Sequence, residues 1–457
     1  MNISVLRRGL HRAVVLLTVS LTAVAGLAVV TAPPAQAANR VTPGNFTGYG
    51  FDQCITQSQE VMDAWLTSSP YWAVGVYIAG DNRYCGDDKQ VNLTSEWVAT
   101  QLRNGWKVLP ITVGPQASCY RNPSKKVRIT PDPTDDYAAA RLQGRLEAED
   151  TVQRAQALGI RPRSTLWYDL EAYDTDNVRC RDSALHFLSA WTRTLHSLGY
   201  VSGVYSSAAR GINALDDARV LEPERFVMPD QVWIAEWVKP EDYRTPPRVY
   251  PPTLMSQYVR DDGWLPGGRM RQYRGGHDET WGGATVNIDT NYLDLGRGTL
   301  PGRAPRLCGD TRLDFPRYRR LVRGNQNAQV AALQCLLKRK KLYGGRVNGV
   351  FTPGTERGVR RFQEARGFRP HGRMLRSHWT VLLSEGNTPV LKIGSGGNGV
   401  RRVQRALNAT IHAGLAVDGI FGPATTNAVR RYQREVGLRR TGVVAPDTWA
   451  MFHTGRL

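Results

Sequence analysis

The chain sets two carboxylates two positions apart at the end of an apolar run, Leu166-Trp167-Tyr168-Asp169-Leu170-Glu171-Ala172-Tyr173. On an extended backbone such residues face the same way, with Cβ atoms roughly 6–7 Å apart. Carboxylates that close repel, so one is pushed toward keeping its proton while the other stays ionised. Acid-assisted cleavage of a glycosidic bond needs that division of labour. Other acidic residues close runs of similar character: Asp52 after Gly50-Phe51, Glu236 in Val232-Trp233-Ile234-Ala235-Glu236-Trp237, and Asp289 in Val286-Asn287-Ile288-Asp289. Tyr168, Tyr173 and Trp237 offer flat faces on which sugar rings stack, with Glu236 a further candidate contact. Trp167, expected on the face opposite Tyr168, reads as core.

These residues need strands to hold them. Thr47–Cys54 reads as a first strand. Further strands are expected at Trp72–Ile78, Lys107–Val113, Thr165–Asp169, Ser202–Ser206, Val232–Glu236, Leu254–Tyr258 and Met270–Tyr273. Helix patterns intervene, clearest at Ser183–Leu198 and about Thr134–Leu158, each closed by a glycine. The alternation predicts an α/β fold, a (β/α)8 TIM-like barrel, with chemistry at the C-terminal ends of the strands. Asp52 then ends the first strand, Asp169 and Glu171 the fourth, and Glu236 and Trp237 the sixth, while Asp289 follows the eighth. The six cysteines lack any metal-ligand spacing, so no metal site and no cofactor is expected. Position favours Cys54–Cys85 and Cys119–Cys180, which join neighbouring loops of one rim, and Cys308–Cys335 in the C-terminal third.

The ordered set Gly50-Phe51-Asp52, Tyr168 to Tyr173, Gly203 to Ser207, Trp233 to Trp237, Gln272-Tyr273 and Asn287 to Asn291 resembles the glycoside hydrolase family 25 lysozymes. The residues around Phe51 to Cys54, Ser69 to Cys85 and Val113 to Cys119 resemble more closely an actinobacterial glycoside hydrolase-like family, long catalogued as a domain of unknown function (1906). The resemblance covers about residues 47–296. It implies Glu171 as general acid, Asp169 orienting the substrate's 2-acetamido group or a water, and Asp52 and Asp289 orienting these groups or the sugar.

Beyond a Gly/Pro/Arg-rich linker at 297–307 the sequence repeats itself with an offset of 70: Val347 to Phe351 returns as Val417 to Phe421, Gln334 as Gln404, Phe362-Gln363 as Tyr432-Gln433, and Trp379 as Trp449. Each copy reads as three short helices and resembles the small all-α peptidoglycan-binding domain, at 308–385 and 390–454 with 386–389 between. The second copy carries the motif from Val417 to Thr425 intact. The first departs from it at Thr352 and Gly354. The paired aromatics read as core.

Residues 301–457 hold 29 Lys and Arg against 8 Asp and Glu, whereas residues 1–300 are nearly balanced, so the +20 charge belongs to the C-terminal third. A polyanion suits such a face: nucleic acid, an anionic membrane or an acidic wall polymer. Residues 1–37 choose among them. Arg7, Arg8 and Arg12 precede an apolar run from Ala13 to Val30 and the Ala35-Gln36-Ala37 site, the pattern of a cleaved export signal. A short lead, 38–46, follows. Export permits disulfides and argues against nucleic acid. The expectation is a secreted, cell-wall-associated protein with no membrane span after cleavage. Its partners would be peptidoglycan and anionic wall polymers, and its activity muramidase-like or, in the other reading, purely glycan-binding.

Overall fold

A computed structural model describes residues 39–238 and 253–456. The expected export signal lies outside the described residues. Eight strands close a barrel in chain order: β1 (Phe46–Asp52), β2 (Tyr71–Ala79), β3 (Lys107–Thr112), β4 (Thr165–Asp169), β5 (Val201–Ser207), β6 (Gln231–Ala235), β7 (Gly268–Trp281) and β8 (Ala284–Leu295). Helices α1 (Gln59–Ser68), α2 (Ser95–Asn104), α3 (Thr134–Ala157), α4 (Val178–Ser197) and α5 (Asn213–Leu221) fill the crossovers. Ser58, Thr94 and Asn177 cap the first turns of α1, α2 and α4 with side-chain oxygens, satisfying backbone N–H groups that lack a partner in the helix.

Two strand expectations need correction. Leu254–Tyr258 is no strand; the seventh strand is β7, from Gly268. β8 runs antiparallel to both β7 and β1, unlike the parallel pairs around the rest of the barrel. The β7–β8 turn is Gly282-Gly283, both at positive φ, the conformation a tight hairpin demands and glycine supplies without strain. Asp289 therefore lies inside the eighth strand rather than after it. Because β8 is reversed, its N-terminal half reaches the rim where the other strands end, and Asp289 pairs with Asp52 across the β1–β8 ladder.

Alternation along the strands sorts the side chains. Leu109, Ile111, Trp167, Trp233, Met270 and Leu293 pack inside the barrel. Phe51, Val74, Val76, Val108, Leu166, Tyr168, Val204 and Ile234 face the helices in a second cluster. Burying each large side chain contributes on the order of 2–3 kcal/mol. Glycine makes room for the bulk: a Cβ on Gly203 would come 2.4 Å from the Trp167 ring, and one on Gly75 would come 2.5 Å from the Cβ of Asp52.

The two repeats share one order of elements. Helices α6 (Ala328–Arg339), α7 (Pro353–Ala365) and α8 (Arg376–Ser384) recur 70 positions later as α9 (Asn398–Thr410), α10 (Pro423–Glu435) and α11 (Pro446–Thr454). Buried glutamines set the turns in both copies: Gln334 accepts from Gly349 N at 2.9 Å and donates to Val350 O at 2.8 Å, and Gln404 does the same with Gly419 N and Ile420 O at 3.0 and 3.1 Å. The departure at Thr352 is locally favourable, since its hydroxyl caps α7 where Gly422 offers none for α10.

The linker after β8 is pinned down. Thr299 Oγ1 donates toward Thr47 O and Gly394 O, and Arg401 donates to Pro301 O and Gly302 O. The second repeat thereby seats on the barrel's lower end. Lys392, 1% exposed, donates to Leu66 O at 2.8 Å and lies 4.6 and 5.0 Å above the rings of Trp72 and Trp106. Indole faces and a carbonyl attract an ammonium and repel a carboxylate. Lys392→Glu is therefore expected to detach the repeat, at a cost of several kcal/mol for a buried, unpaired anion. Small-angle scattering should then show an increased radius of gyration; an unchanged radius would contradict the docking.

Candidate active site

Inward positions at the strand ends turn polar above the Trp167–Trp233 layer. Asp52, the last residue of β1, accepts from Asn291 Nδ2 at 2.7 Å and from Gln272 Nε2 and Tyr77 Oη at 3.3 Å each. Asn291 is oriented in turn by Trp233 Nε1, which donates to its Oδ1 at 2.8 Å. Asp289 takes the backbone N–H of Gly276, and its carboxyl faces the same cavity as that of Asp52, its partner across the ladder. Gly276 reaches it because β7 is bulged between Gln272 and His277.

Asp169 and Glu171 are held by one buried side chain. Gln116 donates to Asp169 O at 2.7 Å and accepts from Glu171 N at 2.8 Å, fixing the backbone as it leaves β4. Asp169 is buried and Glu171 half-buried. Both line a cavity of about 290 Å³ with Asp52, Asp289, Tyr84 and Lys125. An adjoining lobe of about 280 Å³ shares the four carboxyls and adds Tyr205, Trp233 and Trp237. The four acids thus meet in one open cleft.

Burial drives their electrostatics. Desolvation raises Asp52 well above the usual carboxylate range, and Asp289 raises it further. Asp169 is raised well by desolvation and then by Glu171, with Lys125 opposing. Glu171 is raised by desolvation, countered by Lys125. Desolvation also raises Asp289. Four carboxyls facing one ammonium cannot all ionise, so the cluster keeps protons to higher pH than exposed acids do. Lys125, whose Nζ donates to Asn82 O at 2.7 Å, is the cation beside the Asp169–Glu171 pair.

Three expected contacts lie elsewhere. Tyr168 points outward between β4 and α4, fully buried against Phe187 and Trp191, its hydroxyl donating to Pro115 O at 2.6 Å. Tyr173 is 4% exposed within the same helix-facing cluster. Neither tyrosine reaches the cleft. Glu236 turns to Arg271, 3.8 Å away, on the outer side of the sheet. Trp237 is 61% exposed on the second lobe, its Nε1 donating to Gln272 Oε1 at 3.1 Å. Sequence reasoning missed Tyr77, Gln272 and Asn291, all at the inward parity of Asp52 and Asp289, and it missed Gln116, Lys125 and Tyr84, which lie on loops. The disulfides join Cys54 to Cys85, Cys119 to Cys180 and Cys308 to Cys335. Cys54–Cys85 ties the loops after β1 and β2 at the cavity wall.

Residues 63–293 match the family model described as Rv2525c-like, glycoside hydrolase-like domain. The chain belongs to this glycoside hydrolase-like family. Residues 326–377 and 396–452 each match a model for a peptidoglycan binding domain, one match in each repeat. N-acetylmuramoyl-L-alanine amidase CwlL of Bacillus licheniformis is 29% identical over 137 residues, 28% of this chain and 36% of that protein. Zinc D-Ala-D-Ala carboxypeptidase of Streptomyces albus G is 40% identical over 73 residues, 16% of this chain and 26% of that protein. This member of the glycoside hydrolase-like family therefore spans only part of the curated relatives it matches. Among solved structures, the Tat-secreted protein Rv2525c of Mycobacterium tuberculosis aligns at 14% identity and TM-score 0.32, covering 55% of this chain and 97% of its own. A family 25 glycosyl hydrolase from Bacillus anthracis aligns at 12% identity and TM-score 0.31, covering 55% and 91%. Among the described residues no helix is long and apolar enough to cross a membrane.

Proposed function

We propose that the barrel hydrolyses β-1,4 bonds of peptidoglycan at N-acetylmuramic acid or a related wall glycan, and that the repeats hold it on the wall. The observation that carries this reading is the meeting of Asp52, Asp169, Glu171 and Asp289 in one open cleft. Glu171 is the general acid: it is the more exposed member of its pair, so a glycosidic oxygen reaches it, and burial shifts it toward the protonated form. Asp169, deeper and beside Lys125, faces the substrate's 2-acetamido group or a water and stabilises charge developing there. Asp52 and Asp289, side by side in the cleft, orient the sugar. The repeats raise the barrel's local concentration at its substrate. The apolar run from Ala13 to Val30, the Ala35-Gln36-Ala37 site after it and the three disulfides support export to the cell wall. A mature chain beginning at Ala38 is the expected product.

Digestion of purified wall, followed by borohydride reduction, tests the bond cut: newly formed muramitol ends are expected. Only glucosaminitol ends would reassign the bond, and no new ends from an intact protein that still binds wall would leave a glycan-binding barrel. Trp237→Ala, which removes an exposed stacking face at the second lobe, is expected to weaken glycan binding by the barrel roughly tenfold. Calorimetry with a soluble glycan fragment checks this, and unchanged affinity would remove Trp237 from the binding surface.

A further inference from the structure

A second cleft, of about 440 Å³, opens where the second repeat meets the barrel. One wall is the end of β7, Asp278 to Trp281; the other is Arg430 of α10 with Arg439, Arg440 and Thr441. The two carboxylates already have partners. Glu279 accepts from Tyr71 Oη at 2.8 Å and Trp281 Nε1 at 2.7 Å and lies 3.1 Å from His277 Nε2, while Asp278 accepts from Asn287 Nδ2 at 2.8 Å. The arginines do not. Among the described residues, none of the three forms an ion pair, and Arg430 Nε is shielded from water without a hydrogen-bond partner. A desolvated guanidinium donor left unsatisfied is costly, and a carboxylate or phosphate oxygen is the group whose geometry it matches. The half-buried Trp281 ring supplies an apolar wall beside these donors.

We propose that this inter-module cleft is a binding site for an anionic wall glycan, a sugar polymer whose acidic substituents pair with Arg430, Arg439 and Arg440 while a ring packs on Trp281. It is separate from the carboxyl cleft and independent of whether the barrel cleaves anything. It gives the basic C-terminal third a located ligand rather than a diffuse field. The neighbouring carboxylates make the site selective: a ligand must reach the arginines without crowding Asp278.

Calorimetry on the full chain in about 0.15 M salt, where diffuse attraction is screened beyond about 8 Å, tests this. The titrants are a uronate-bearing wall polymer, a sugar-phosphate wall polymer and a neutral chitin oligosaccharide. The triple variant Arg430→Gln, Arg439→Gln, Arg440→Gln is compared with Arg317→Gln, Arg320→Gln, Arg346→Gln, which loses the same charge from exposed positions outside the cleft. At least tenfold loss in the first and less than threefold in the second is the expected result, with either acidic polymer. Which polymer binds identifies the oxyanion. Equal losses in the two triples, or no binding of either acidic polymer by the wild type, would overturn the site. Should the cleft triple unfold, Arg440→Gln and Trp281→Ala singly must still each weaken the acidic polymer's binding, and unchanged affinity in both would overturn it equally.

Discussion

Glu171→Gln is expected to lower the release of reducing ends from purified wall by about 10²- to 10⁴-fold, the range carried by a positioned general acid. The amide keeps the shape and still accepts the approach of sugar, so wall binding should stay within about twofold. Stability should hold or rise. The folded-state pKa of Glu171 is raised, so its contribution to stability is fully present below the ordinary carboxylate value and is lost as pH climbs through the raised one. Glutamine mimics the protonated form and carries no such loss. The same shift sets the wild-type profile: activity falls as pH rises through the raised pKa of the acid, and Lys125→Met, which removes the opposing cation, should move that limb to higher pH. A variant with wild-type turnover, or a limb that moves to lower pH in Lys125→Met, would contradict the assignment.

Trp449→Ala carries the largest expected effect on stability. Trp449 is fully buried in the second repeat, donates through Nε1 to Pro389 O at 2.8 Å, packs edge-on to Phe452 at 6.0 Å and supports the Arg402 guanidinium at 4.9 Å. Truncation leaves a large cavity and strands a carbonyl, costing about 3–5 kcal/mol. A domain of this size has little reserve against such a loss, so the repeat should unfold first in urea, ahead of the barrel. Loss of the repeat also uncovers Trp72, Trp106 and the neighbouring cleft, and retention on purified wall should drop with it. A shift below about 1 kcal/mol would show that this indole is not the core of its repeat.

Much of this arrangement was legible in the residues. The acids at the strand ends and the 70-residue offset follow from spacing, the favoured cysteine pairs from the position of neighbouring loops on one rim, and the repeat helices recur at that offset to within one residue. The seventh strand was misplaced because alternation of strand and helix was carried one step too far; Gly282-Gly283 marked a hairpin instead. Tyr168 was assigned to the cleft although its neighbour Asp169 faces inward. Period-2 parity puts Tyr168 on the opposite side with the helices, and Trp167 on the inner one. In a barrel both faces are buried, so an aromatic beside an acid is no sign of a sugar platform. Gln116 and Lys125 were not legible, because only the folding back of the β3–α3 segment brings a glutamine and an ammonium to residues some fifty positions away.

The most direct measurement is a crystal structure of Glu171→Gln with a muramic-acid-containing tetrasaccharide. Sugar rings should span both lobes, with a glycosidic oxygen within hydrogen-bond distance of residue 171, a 2-acetamido group facing Asp169, and an outer ring on Trp237. An oligosaccharide bound only to the repeats, with the carboxyl cleft empty at saturating ligand, would contradict the assignment of this barrel as the hydrolytic centre.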